Sequence, residues 1–189
     1  EPTFGGNDVV GVDDLAVTCP ELDDPVRTVN LDGTSIDSGV LSLLTEDRRL
    51  PWWDHLSLLL RRRKRDHIML SRPYPMQLDL SCEDEALHQL QVLVKTHYGL
   101  NLEGFLGDLA EATGVELDRE EERALVDRHL LTWDELRELE GAGQDLQCHT
   151  HTHRVLHTLR PDDLRDELGR SKAILSERLG GPIDSIAYP

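Results

Sequence analysis

Apolar residues recur at helical spacing through most of the chain beyond residue 50, and short extended runs separate these helical stretches. Trp52 to Lys64 reads as a helix, W-W-D-H-L-S-L-L-L-R-R-R-K. Ile68 to Leu80 reads as a hairpin turning at Arg72-Pro73-Tyr74-Pro75. Ser81-Cys82-Glu83-Asp84 resembles a capping box and opens a helix to about Thr96, with Leu87, Leu90, Val94 and Tyr98 in step. Asn101 caps a helix through Ala112 that Gly114 ends, and Asp118 with Glu121 opens another to about His129. Thr132 and Glu135 form a capping box for a helix ending near Gly141-Ala142-Gly143. The last helix begins at Pro161, a favoured first-turn position, and ends at Gly180-Gly181. Its apolar face is Leu164, Leu168, Ile174 or Leu175, and Leu179. Asp145 to Cys148 and Ile183 to Tyr188 read as strands on either side of it, which predicts a parallel strand–helix–strand crossover. Upstream, Val9 to Val12 and Val26 to Leu31 read as two further short strands, the second running into a glycine-punctuated loop.

Composition narrows the class. A chain of 189 residues with 38% hydrophobic positions can bury one core. It has no apolar run long enough to span a bilayer, and Glu1-Pro2-Thr3-Phe4 does not open a signal peptide. A formal net charge of −17 disfavours nucleic acid and anionic membrane as partners, and suits neutral or cationic substrates as well as simple solubility. Cys19, Cys82 and Cys148 form no C-x-x-C motif; Cys148 reads as a small buried strand residue. The basic run Arg61 to Arg65 complements the end of its helix. The chain stops at Tyr188-Pro189, inside an expected strand end, and so reads as a piece of a longer protein.

The chemistry concentrates in L-Q-C-H-T-H-T-H-R-V-L-H-T-L, Leu146 to Leu159, which holds four of the nine histidines. On a strand His149, His151 and His153 would share a face; on a helix His149 and His153 would lie one turn apart. Either arrangement brings two imidazoles within reach of one metal at a Zn–N distance near ~2.0 Å. A polar loop with solvated histidines fits the same spacing.

The order of a capped helix, a short strand, His149-Thr150-x-x-His153-x-x-Leu156, a helix and a strand bearing Tyr188-Pro189 resembles the polysaccharide deacetylase family (NodB homology, carbohydrate esterase family 4). The resemblance is continuous over about the last 60 residues and is seconded upstream by Thr34 to Gly39 followed by Trp52-Trp53-Asp54. It implies an α/β fold, part of an irregular (β/α) barrel, in a single incomplete domain over 1–189. A helical insertion would span about 81–130 and a motif-bearing core about 131–189.

The resemblance also implies a divalent metal, zinc by preference, held by His149, His153 and a carboxylate. Its activity would be hydrolysis of the acetamide carbon–nitrogen bond of an N-acetylated polysaccharide by water activated on that metal. The family's F-D-D-G motif is matched only by Val12-Asp13-Asp14-Leu15, which makes Asp13 the candidate base and Asp14 the third ligand; Asp23-Asp24 and Asp32-Gly33 are rival placements. A backbone N–H near Tyr188 would hold the oxyanion, and Trp52 and Trp53 would line a sugar site. Envelope or exopolysaccharide work follows from the resemblance, which leaves the compartment and the oligomeric state open. Two alternatives remain: a degenerate carbohydrate-binding or regulatory relative, and a different metal hydrolase such as a phosphoesterase.

Overall fold

The computed structural model describes residues 38–40 and 42–188. The expected strands at Val9 to Val12 and Val26 to Leu31, together with Asp13, Asp14, Asp23, Asp24, Asp32 and Cys19, lie outside the described residues.

Two small sheets and seven helices make up the described part. Strand β1 (Ser38–Val40) and helix α1 (Ser42–Asp47) precede α2 (Trp52–Arg61). The hairpin β2 (His67–Leu70) and β3 (Met76–Asp79) follows, then α3 (Glu83–Thr96), α4 (Leu102–Thr113), α5 (Arg119–His129) and α6 (Trp133–Gly141). Strand β4 (Leu146–Cys148), a 3-10 turn over Leu156–Thr158 and α7 (Pro161–Leu179) complete the order. The hairpin turns at the expected Arg72-Pro73-Tyr74-Pro75, with His67 opposite Asp79 and Leu70 opposite Met76. No described helix is long and apolar enough to cross a membrane.

Most helix ends form where the sequence predicts, for the predicted reason. The side chains of Asn101, Asp118 and Thr132 each accept the N–H three residues on, and Thr132 with Glu135 completes a reciprocal capping box. Gly114 and Gly180 take left-handed backbone conformations that end α4 and α7. The expected box at Ser81 does not form. Cys82 is the N-cap residue of α3 and makes no side-chain capping bond, and the Ser81 N–H is taken instead by Asp79 Oδ1 at 2.9 Å.

The second sheet is parallel, β1 beside β4, in the register Ser38 to Leu146, Gly39 to Gln147 and Val40 to Cys148. The sequence placed residues 38–39 in a loop; in the structure they begin this strand. The expected strand Ile183 to Tyr188 is also corrected. It reduces to one parallel bridge, Ile186 against Cys148, closed by Cys148 N–H to Ser185 O (3.3 Å) and Ala187 N–H to Cys148 O (2.9 Å). The Gln147 side chain explains the truncation: its Oε1 accepts from the N–H groups of Asp184 (3.3 Å) and Ser185 (3.1 Å), so a side chain does the work of a ladder. A closed barrel is not seen among the described residues; what is seen is a mixed α/β arrangement around a small parallel sheet.

Two apolar cores result. The larger joins α2, the hairpin, α3 and α4 through Leu56, Leu59, Leu60, Leu70, Leu90, Phe105 and Leu109. The smaller joins α6, β4 and α7 through Leu136, Leu146, Cys148, Leu175 and Ile183. Helices α3 and α4 thus share the larger core with α2.

Helix α5 is tied elsewhere, by charge. Arg48, buried, donates to the carbonyls of Val126, Leu130 and Leu131 and to Asp127 at the end of α5; the Leu130 and Leu131 carbonyls lie past the last turn, where no further helix supplies N–H groups. Glu122, buried on the same helix, accepts from Leu50 N–H (3.0 Å), Arg49 Nε (3.1 Å) and Arg119 Nη1 (2.8 Å). Burial pushes its carboxyl up, but the Leu50 N–H and the two guanidinium groups outweigh that and hold it below its ordinary value of 4.5.

Two outcomes follow. Phe105→Ala should cost about 3–5 kcal/mol in urea unfolding, because the ring is 1% exposed and its loss would leave a cavity in the larger core. Glu122→Gln should cost about 1–3 kcal/mol at pH 7. Because the folded Glu122 pKa lies below the unfolded one, its contribution is complete above pH 4.5 and is lost as the pH falls through the lower folded value, so the urea midpoints of wild type and variant should converge in acid.

Candidate active site

The histidine loop follows directly from β4, at the C-terminal end of a parallel strand, and its conformation is neither of the two the spacing allowed. It is a tight turn with two non-glycine residues at positive φ, Thr150 at 67° and His153 at 58°. Left-handed backbone is costly for a β-branched residue, of order 1–3 kcal/mol, and persists only where surrounding bonds over-determine it. Those bonds are present. Thr150 Oγ1 accepts the His153 N–H at 3.1 Å, and the Thr150 N–H meets Cys148 Sγ at 3.3 Å. Ser171 Oγ donates to Thr150 O at 2.9 Å and lies 2.9 Å from Cys148 Sγ. Cys148 is thus buried and engaged, as the sequence reading expected.

The turn brings His149 and His153 together. Their ring centres lie 4.8 Å apart with planes at 74°. An imidazole centre lies about 3 Å from a zinc ion it ligates at ~2.0 Å, so two rings on one tetrahedral ion sit about 5 Å apart; this pair matches that spacing. His149 Nδ1 lies 3.2 Å from Ala187 O. With the proton on Nδ1, that bond leaves the lone pair of Nε2 free, the arrangement in which metal-binding histidines are usually held. Burial lowers the pKa of both rings, and His149 lowers that of His153 further, to about 4. Both are therefore neutral at pH 7, the protonation state that ligation requires. His151 is buried and turned towards α7, where Glu167 accepts its backbone N–H; His157 is exposed in the 3-10 turn. Among the described residues no group of three His, Cys, Asp or Glu side chains converges as a metal site, and Asp13 and Asp14 lie outside them.

The tryptophans divide their roles. Trp52 is only 7% exposed, and its Nε1 donates to His153 O at 3.1 Å, so it supports the loop from beneath. Trp53 is half-buried and packs edge-on against the His153 ring at 4.6 Å. Tyr188 is 73% exposed, one residue after the carbonyl that contacts His149.

Sequence reasoning missed Glu167, Ser171 and Arg154. Glu167 and Ser171 are polar residues on the inner side of α7, next to the apolar face, and that misplacement was the available signal. Arg154 Nη2 donates to Leu100 O at 2.5 Å and, with Gly99 N–H to Thr158 O (2.7 Å), pins the loop to the larger core.

A parallel strand ends in paired imidazoles, and a helix returns beside it. Residues 106–189 match the family model described as polysaccharide deacetylase, and this stretch of the chain belongs to that family. The match starts within α4 and so takes in α5 as well as the histidine loop. No curated protein matches the chain, and no solved structure does.

Thr150→Val should cost about 1–3 kcal/mol, because it leaves the His153 N–H unpaired inside the turn. Thr150→Ser should recover most of that loss, since the acceptor returns; chemical denaturation of the two variants checks both.

Proposed function

We propose that this chain is a divalent-metal-dependent deacetylase that removes N-acetyl groups from an N-acetylated polysaccharide or glycan. The observation that carries the reading is the His149–His153 pair, two neutral imidazoles at metal-sharing distance in the stretch that matches the polysaccharide deacetylase model. In this reading the small parallel sheet is part of an irregular (β/α) barrel.

His149 and His153 would hold the metal, zinc by preference, with Asp14 as the third ligand. Two imidazoles and one carboxylate suit a catalytic zinc, which keeps a position open. A bound divalent ion supplies Lewis acidity, lowering the pKa of water towards ~7 and stabilising charge on the acetamide oxygen. The chain's own groups do the rest. Asp13 would accept the proton of the attacking water. The backbone N–H at Tyr188 would donate to the developing oxyanion. Trp53, packed on the His153 ring, and the exposed Tyr188 would contact an extended sugar chain, whereas Trp52 supports the loop.

The test has two parts. Elemental analysis after zinc supply at pH 7 should find close to one zinc per wild-type chain and essentially none in His149→Ala/His153→Ala. Acetate release from an N-acetylated oligosaccharide should then fall about 10²–10⁴-fold in Asp13→Asn with zinc retained, whereas Asp14→Asn should lose zinc. Zinc bound without acetate release would support a degenerate binding relative instead. Absence of zinc from the wild type would end the metal-dependent reading.

A further inference from the structure

Glu167 lies on the second turn of α7, 6% exposed, and makes none of the salt bridges found among the described residues. Its carboxylate is spent on the histidine loop. Oε1 accepts from two consecutive backbone amides, His151 N–H at 2.8 Å and Thr152 N–H at 2.5 Å. Oε2 accepts from Thr152 Oγ1 at 2.8 Å. With the His153 N–H on Thr150 Oγ1, every amide from 151 to 153 is committed.

The two amides that Glu167 grips lie between the two left-handed residues, Thr150 and His153. The direction of those peptide planes sets how far the chain turns between His149 and His153. If the two N–H groups swing away from α7, the His153 ring moves relative to His149. A β-branched residue at positive φ persists only where surrounding bonds over-determine it, and one buried oxygen that accepts two consecutive amides beside it supplies such bonds. One turn further along α7, the Ser171 hydroxyl donates to the Thr150 carbonyl, so two inward polar residues of a single helix orient three consecutive residues of the loop. The His151 ring and the half-buried Arg154 share the field of the Glu167 charge.

We propose that Glu167 is a positioning residue for the active site: by gripping the 151 and 152 amides it sets the spacing of the His149 and His153 imidazoles, and so the affinity for the divalent metal. This rests on the metal-dependent reading for its consequence but not for its geometry. Glu167 touches neither the paired rings nor the substrate.

Two conservative variants separate grip from charge. Glu167→Gln keeps the carbonyl oxygen that accepts both amides, and its NH2 can donate to Thr152 Oγ1, so the grip survives without the charge. Glu167→Asp keeps the charge but withdraws the carboxylate by one methylene, so the grip fails. The nuclear Overhauser contact between the His149 and His153 ring protons should persist in wild type and Glu167→Gln and disappear in Glu167→Asp, all without metal. Zinc affinity, by competition with a chromophoric chelator, should stay within roughly 3-fold of wild type in Glu167→Gln and fall about 10–100-fold in Glu167→Asp. Far-ultraviolet circular dichroism should show that both variants keep their helices. Retention of the ring contact in Glu167→Asp would overturn the proposal, as would its loss in Glu167→Gln with retention in Glu167→Asp. If wild type binds no zinc, the metal reading fails while the ring contact still decides the role of Glu167.

Discussion

Backbone N–H groups withdrawn from water must find acceptors, and the rest of this structure depends on how that constraint is met between Thr150 and His153. A turn carrying two imidazoles side by side points its amides inward, away from solvent. One helix supplies the Glu167 carboxylate for the 151 and 152 amides, Cys148 Sγ meets that of Thr150, and Thr150 Oγ1 takes that of His153, while the Ser171 hydroxyl of the same helix donates to the Thr150 carbonyl. α7 is thus more than the returning arm of a crossover. Its apolar face fills the smaller core with Leu175, and its polar inner positions shape the loop.

The loop also lies along the seam between two cores. From the larger one come the Trp52 indole to His153 O, Arg154 to Leu100 O, and Gly99 N–H to Thr158 O. From the smaller one come Glu167, Ser171 and the Ala187 carbonyl. Upstream of Trp52 the chain is braced in turn by Arg48 and Glu122 against α5. The exposed ion pairs along the helices contribute little by comparison, because solvent and salt screen them.

What was legible in the sequence was whatever is decided locally. Helix starts at Asn101, Asp118 and Thr132, stops at Gly114 and Gly180, and the hairpin turn at Pro73 follow from groups within three or four residues. The His149–His153 pair was legible through its spacing and its resemblance to a known motif, although neither the strand nor the helix geometry inferred for it is the one adopted. What escaped was decided by distant partners. Ser38 to Val40 become a strand only because β4 lies alongside. Ile183 to Tyr188 fall short of a strand because the Gln147 side chain intercepts their amides. Glu167 reads as one more acid among 37 acidic residues until the fold turns it inwards.

The bond from Trp52 to the His153 carbonyl spans 101 positions of chain. Contacts of such separation close long loops, whose entropic cost must be met before the contact gives any return. The larger core is built mostly from neighbours in sequence and can condense first; the smaller needs only β4 and the elements around it. The turn between them can reach its final shape only after both surfaces exist. The spacing of the paired imidazoles thus depends on both cores being in place, so the chemical centre reports on the assembly of the whole.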